Sequence, residues 1–216
     1  MKLSIIVPAY NEECRIGGML EAYLSHFSAG YGDEFEIIVS VNGSKDRTED
    51  VVRDFQPRFP QLRVLVTPEP IGKGGAVMAG ERIARGDLIG FVDADGATPP
   101  AAFEDLVKQI GGAGLIIASR RLPGAVVRPR QPWKRRAVSR VFNGLVRSLF
   151  KLKITDTQCG AKLITAEAWR AIVPHIGLTT WAFDVDLLFK TRRARSRIAG
   201  SPRTRRDVAG SKLPLG

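Results

Sequence analysis

The chain has 216 residues, of which 44% are hydrophobic and 25% charged. That balance suits one α/β domain around a single core and excludes a disordered or fibrous chain. No apolar run reaches the roughly 20 residues of a membrane-crossing helix, and the opening MKLSIIVPAYNEE lacks the small-residue cleavage site of a signal peptide. The expectation is a cytoplasmic protein without a transmembrane segment. Cys14 and Cys159 stand far apart and form no CxxC pair, which argues against a zinc site or disulfide framework.

The net charge of +11 is unevenly placed. From Leu106 to Thr155 there is no acidic residue, while twelve Lys or Arg fall in that stretch, so the rest of the chain is close to neutral. Such asymmetry calls for an anionic partner: nucleic acid, anionic lipid or a phosphorylated substrate.

In chain order, Leu3–Pro8 and Glu36–Val41 read as short buried parallel strands bounded by turn formers. Between them Ile16, Met19, Leu20, Tyr23, Leu24 and Phe27 make the apolar stripe of a helix over Glu12–Phe27. A second helix covers Asp46–Phe55 and a third strand Leu62–Val66, followed by the glycine-rich IGKGGAV and a helix to about Ala84. Leu88–Asp93 is a fourth strand, Pro99 and Pro100 open a helix over Ala101–Gln109, and Leu115–Ser119 is a fifth strand. Alternating strands and helices predict a doubly wound, mostly parallel sheet with its ligand loops at the carboxyl ends of the strands. The polar clusters Ala9–Glu12, Asn42–Asp46, Gly72–Gly75 and Asp93–Asp95 each follow a strand and converge on that edge. Beyond Ser119, prolines break regular structure until Trp133–Leu152, where apolar residues at steps of three or four alternate with basic ones. This segment reads either as a solvated helix or as an amphipathic helix lying on an anionic bilayer.

The sharpest chemical feature is Asp93-Ala94-Asp95 at the end of LIGFV. Two carboxylates two residues apart at a strand end can reach one hard cation, Mg²⁺ or Mn²⁺, which completes its shell with water and phosphate oxygens. The segment Ile71–Val77 offers backbone N–H groups to an anion at a helix start with Lys73 in reach, or is simply a tight strand–helix turn. It matches neither a P-loop nor GxGxxG.

Together PAYNEE (Pro8–Glu13), NGSKDRT (Asn42–Thr48), GKGGAV (Gly72–Val77), DADGATPP (Asp93–Pro100), DTQCGAK (Asp156–Lys162) and WAFDVDLL (Trp181–Leu188) resemble family 2 glycosyltransferases with a GT-A fold. Within these the motifs look most like dolichyl-phosphate and polyprenyl-phosphate glucosyltransferases, from residue 3 to about 213, with RIAGSP resembling the closing strand. The resemblance implies a single GT-A domain over 1–216, with residues 1–119 holding the nucleotide sugar and 120–216 the acceptor. It implies that Pro8, Tyr10, Asn11, Glu12, Asn42, Asp46, Lys73, Gly74, Asp93 and Ala94 contact the nucleotide sugar, and that Asp93 and Asp95 serve a Mg²⁺ or Mn²⁺ ion. Val41 and Asn42 stand where the family usually has the two aspartates of a VDDGS segment. Ala97 stands where mannosyltransferase relatives have a metal-binding Gln, which points to the glucosyl branch.

Arg120, Arg128, Arg130 and Lys162 are implied for the acceptor phosphate, and Asp156, Asp184, Asp186 and Arg120 for catalysis. The implied reaction is inverting hexosyl transfer, with UDP-glucose as first choice, to a polyprenyl or dolichyl phosphate at the cytoplasmic membrane face. The implied partners are the nucleotide-diphosphate sugar, the lipid phosphate and an anionic membrane surface, with a separate membrane protein docking on the tail as a further option. Other donors (GDP-mannose, UDP-GlcNAc) and soluble or polysaccharide acceptors are the alternative. A nucleic-acid-binding module is remote, because the basic stretch offers few stacking aromatics and leaves Asp93 and Asp95 without a purpose.

Overall fold

The computed structural model describes residues 1–119, 126–128, 144, 156, 159–177, 179–180, 182–202 and 204–206, the backbone alone for 126–128 and 204–206. The apolar runs form β1 (Leu3–Ala9), β2 (Phe35–Asn42), β3 (Leu62–Thr67), β4 (Leu88–Val92) and β5 (Leu115–Ser119). A short β6 (Val126–Arg128) follows, then β7 (Ala161–Thr165), β8 (Ile198–Pro202) and β9 (Thr204–Arg206). Seven strands make one sheet in the order β3-β2-β1-β4-β7-β5-β8, while β6 and β9 pair separately. Only β7 runs against its neighbours β4 and β5 in the large sheet. The doubly wound, mostly parallel architecture is therefore observed.

Alternation along the strands sorts side chains onto two faces. One face buries Leu3, Ile5, Val7, Ile37 and Val39 beneath α1 (Ile16–Tyr31), α2 (Thr48–Arg53) and α4 (Pro100–Gln109). The other buries Ile6, Phe91, Ile117 and Ile164 beneath α3 (Gly72–Glu81), α5 (Ala166–Ile172) and α6 (Phe183–Arg193). A fully buried side chain such as Phe27 or Leu24 contributes roughly 1.5–3 kcal/mol relative to exposure. After β1 the chain steps out to β2 and β3, then returns to place β4 on the far side of β1. The strand order reverses between β1 and β4, and a crevice opens at the carboxyl ends of these parallel strands.

One boundary differs from the sequence reading. Helix α1 starts at Ile16, not Glu12, because the amides of Glu12 and Glu13 are donated to Thr48 Oγ1 and Asp46 Oδ2 in the next loop. The sequence reading assigns no strand or helix to the DTQCGAK and WAFDVDLL motifs, which lead into β7 and α6. The expected helix over 133–153 lies outside the described residues.

The opposite edge of the sheet is closed by a polar knot. Glu36, 2% exposed, accepts from the Ser4 hydroxyl at 2.7 Å, the Arg85 amide at 2.7 Å and the Arg63 guanidinium at 2.7 Å. Ser4 Oγ in turn accepts the Gly86 amide at 2.9 Å. Replacing Glu36 by Leu strands these buried donors, so Glu36→Leu is expected to cost about 2–4 kcal/mol in a urea titration. Turnover per folded molecule is expected to stay near wild type, since the knot lies at the edge away from the crevice.

Candidate active site

The first two loops of the crevice lock onto each other through their own polar side chains. Asn11 takes a left-handed conformation (φ 53°), which asparagine tolerates better than most residues. Its amide donates to Ser44 Oγ at 3.1 Å, and its Oδ1 accepts the Lys45 amide at 2.8 Å. Asp46 accepts from the Glu13 amide, the Thr48 amide and the Thr48 hydroxyl. Burial pushes the Asp46 carboxyl upward, but these hydrogen bonds prevail and hold it below its ordinary value. Asp46 is thus part of the loop scaffold. Asn42, 5% exposed, accepts the Ile71 amide at 2.6 Å and ties the end of β2 to the start of α3. Pro8 is half-buried at the end of β1, and Tyr10 stands out from it, 51% exposed.

The glycine-rich segment has a packing reason. A side chain at Gly74 would place its first carbon 2.5 Å from the Phe183 ring, so only glycine lets α3 and α6 approach this closely. The Gly75 amide donates to the Thr179 carbonyl at 3.1 Å, which leaves it unavailable to an anion. What this segment presents to the crevice is Lys73. Its ammonium lies 2.8 Å from Asp93 Oδ1 and 3.5 Å from Asp184 Oδ2.

At the end of β4 the alternation turns Ala94 into the core, 3% exposed, and leaves Asp93 and Asp95 partly exposed. Asp95 accepts the Ala97 amide at 2.9 Å. The Asp93 amide donates to the Gly160 carbonyl at 3.1 Å, and the Asp93 carboxylate lies directly over Gly160. A β-carbon at residue 160 would come within 1.8 Å of Asp93 Oδ2. The glycine of DTQCGAK therefore makes room for the first aspartate of DAD.

Behind Asp93 runs a buried ladder of alternating charge. Asp184 is 5% exposed, and its Oδ1 accepts from Lys162 Nζ at 2.6 Å. Lys162 is wholly buried and also donates to the Cys159 carbonyl at 2.7 Å. Burial would raise the Asp184 carboxyl, but Lys162 and Lys73 outweigh it and hold Asp184 below its ordinary value. Burial would lower the Lys73 ammonium, yet Asp184 and Asp93 raise it well above its usual range. The Phe91 ring lies 5.6 Å from one ammonium and 5.3 Å from the other, a cation–π contact with each. Asp186, two residues beyond Asp184 in α6, accepts the Gly177 amide at 2.8 Å and stands 4.0 Å from Lys190. Asp156 is fully buried.

Glu12 completes the charge pattern. It pairs with Arg15 at 2.7 Å. Burial raises its carboxyl above the ordinary range; Arg15 opposes the rise, and the nearby charges of Asp95 and Asp93 add to it. Glu12 thus feels the charges of Asp95 and Asp93 at the crevice. A divalent cation would relieve that repulsion, so the donor set fits Mg²⁺ or Mn²⁺ held by one or two carboxylates with phosphate oxygens filling the shell. Among the described residues no three His, Cys, Asp or Glu side chains close on one point. On its other flank Asp95 borders a cavity of about 320 Å³ between α1 and the loop leading to α4.

Of the residues singled out from sequence, Asn11, Glu12, Asn42, Asp46, Lys73, Asp93, Asp95, Lys162 and Asp184 are brought together by these contacts. Arg120, Arg130, the Arg128 side chain and the basic stretch 133–153 lie outside the described residues. Arg15 and Gly160 were not singled out. Arg15 is signalled only by its three-residue spacing from Glu12, and Gly160 only by its place before a strand.

The model of glycosyl transferase family 2 matches residues 4–172. A dolichyl-phosphate beta-glucosyltransferase of Trichomonas vaginalis is 37% identical over 98% of this chain and 66% of its own length. Proteins of that name from Dictyostelium discoideum and Homo sapiens are 34% and 32% identical over 98% of this chain, and over 68% and 69% of theirs. This chain thus spans about two thirds of the length of these relatives. Among solved structures, glucosyl-3-phosphoglycerate synthase from Mycobacterium tuberculosis, in complex with Mn²⁺, uridine-diphosphate and phosphoglyceric acid, is similar with a TM-score of 0.73. That match covers 99% of this chain and 72% of the synthase at 21% identity, and it establishes the GT-A fold. With the match to the family model over residues 4–172 and relatives above 30% identity along nearly all of its length, the chain belongs to glycosyl transferase family 2.

Proposed function

We propose that this chain transfers a glucosyl residue, with inversion, from UDP-glucose to a polyprenyl or dolichyl phosphate at the cytoplasmic face of a membrane. The observation that carries the reading is the Asp93–Asp95 pair backed by the Lys73–Asp184–Lys162 ladder, in a chain 37% identical to a dolichyl-phosphate beta-glucosyltransferase. Residues 1–119 would hold the donor and residues 120–216 the acceptor. Pro8, Tyr10, Asn11 and Glu12 line the nucleotide side, and the buried Ala97 fits the glucosyl branch because no Gln reaches toward Asp95 from that position.

A Mg²⁺ or Mn²⁺ ion at Asp95, with Asp93 beside it, would neutralise charge on the departing diphosphate. The chain's residues then have an electrostatic task. A monoalkyl phosphate has its second pKa near 6, so at neutral pH it already carries the electron pair it needs and requires no base. One of its oxygens bonds to the anomeric carbon from the face opposite the nucleotide, and the bond from that carbon to the diphosphate oxygen breaks. The difficulty is to bring one phosphate up to another, which the guanidinium groups of Arg120, Arg128 and Arg130 and the ammonium of Lys73 would relieve. Asp156, which is fully buried, would orient the acceptor and is not needed to accept a proton.

The acid-free basic stretch would bring the chain to an anionic bilayer, each Lys or Arg at the interface contributing about 1 kcal/mol. No helix among the described residues is long and apolar enough to cross a membrane. A separate membrane protein docking on the tail would serve the same end.

The direct test is the purified chain with a panel of nucleotide sugars, a short polyprenyl phosphate and a soluble phosphate acceptor, products read by mass. A hexosyl polyprenyl phosphate formed from UDP-glucose is expected; turnover confined to the soluble acceptor or to another donor contradicts the reading. Asp95→Ala is expected to lower turnover at least about a hundredfold with an unchanged circular dichroism spectrum, and EDTA to stop the wild type until Mg²⁺ or Mn²⁺ is returned. Gly160→Ala, which drives a methyl group into the Asp93 carboxylate, is expected to cut kcat/KM about tenfold or more. A Gly160→Ala enzyme with wild-type kinetics would show that Asp93 does not need its observed place.

A further inference from the structure

Three carboxylates of the crevice, those of Glu12, Asp93 and Asp184, pair with Arg15, Lys73 and Lys162, and a fourth, Asp95, acts on Glu12 through its charge. This set carries one net negative charge. A divalent ion added alone turns it positive, whereas a divalent ion added with a sugar nucleotide's diphosphate, one negative charge per phosphorus, returns it to where it began. Lys73 occupies the point where this matters. Its ammonium already neutralises Asp93 at 2.8 Å, so a metal that seeks Asp93 meets a carboxylate with a counter-ion in place. It also has an alternative partner waiting, Asp184 Oδ2 at 3.5 Å, and its side chain is 29% exposed, at the border of the open crevice. Asp184 is held still by Lys162, which is wholly buried and anchored on the Cys159 carbonyl.

We propose that Lys73 is an exchangeable counter-cation of Asp93: it blocks uptake of a divalent ion by itself, and it gives up Asp93 when the ion arrives with a diphosphate. The inference rests on the metal-dependent reading of Asp93 and Asp95. In the loaded site the ammonium leans on Asp184 and on the diphosphate, so the positive charge removed from Asp93 is spent on the leaving group. Lys162 acts through Asp184 as a positioning residue, keeping the receiving carboxylate ionised and fixed. The consequence is that metal and nucleotide enter as a pair, and that the empty crevice does not sequester free divalent ions.

The test measures Mn²⁺ binding to the full chain by electron paramagnetic resonance of the free ion, with and without UDP, in wild type, Lys73→Met and Lys73→Arg. Methionine keeps an unbranched stem against Phe91, Asp184 keeps Lys162, and Asp93 is 39% exposed, so the variant is expected to fold, with near-ultraviolet circular dichroism as the check. Wild type and Lys73→Arg are expected to bind Mn²⁺ weakly alone and firmly with UDP. Lys73→Met is expected to bind Mn²⁺ alone at least about tenfold more tightly than wild type and to gain less from UDP. Unchanged or weaker Mn²⁺ binding by folded Lys73→Met overturns the exchange, as does an equal gain in Lys73→Arg. A wild type that fails to take Mn²⁺ even with UDP removes the metal reading beneath it, a separate result. If Lys73→Met loses its near-ultraviolet signal, the comparison passes to wild type against Lys73→Arg, where tighter Mn²⁺ binding by the arginine variant without UDP overturns the exchange and equal weak binding sustains it.

Discussion

The crevice depends on one ion-pair ladder, in which Asp93 meets Lys73, Lys73 meets Asp184, and Asp184 meets Lys162. A lone buried lysine or aspartate would shed its charge rather than bear the desolvation. Stacked alternately and hydrogen-bonded at the closed end by the Cys159 carbonyl, each group keeps its partner charged. The ladder's inner rungs come from β7 and α6, its outer rungs from α3 and β4, so four elements must be in register before Asp93 can stand where it does. The close approach of α3 to α6 at Gly74 and of Asp93 to Gly160 is what that register looks like in steric terms.

Around the ladder the chain uses ordinary means. The right-handed alternation of strand and helix brings five loops to one edge, and polar side chains in those loops hydrogen-bond to each other's backbones. Asn11, Asp46 and Thr48 tie the loops after β1 and β2 together, while Asn42 stitches the glycine-rich turn to β2. These contacts tie the loops together and leave Glu12 near enough to Asp95 and Asp93 to feel their charge. Arg15 pairs with Glu12 and Lys73 with Asp93, which offsets part of that repulsion.

How far the amino-acid sequence reveals this differs from element to element. The strands β1 to β5 are legible because β-branched runs bounded by Gly, Pro and Asn leave few alternatives, and the carboxyl-edge convergence follows from their alternation with helices. Asp93 and Asp95 are legible because a charged pair after a buried strand is unusual. Strand β7 is not, since its five residues carry a lysine in the middle, and a lysine reads as solvent-facing until its partner is known. That partner, Asp184, lies 22 residues on, a separation that no local pattern signals. Gly160 is silent in sequence because its purpose is the empty space that Asp93 fills. Arg120, Arg130, the Arg128 side chain and, Gly144 apart, the basic segment 133–153 lie outside the described residues, so the proposed acceptor role of residues 120–216 rests on charge pattern and on resemblance.

The central claim is that the end of β4 grips a nucleotide's diphosphate through a divalent ion. The most direct measurement is a crystal structure of the chain grown with UDP and Mn²⁺. The account predicts manganese density on Asp95 bridging to both phosphates, with the Lys73 ammonium withdrawn from Asp93 toward Asp184. Nucleotide bound with no ion at Asp95, or an ion held elsewhere while Lys73 stays on Asp93, would contradict it.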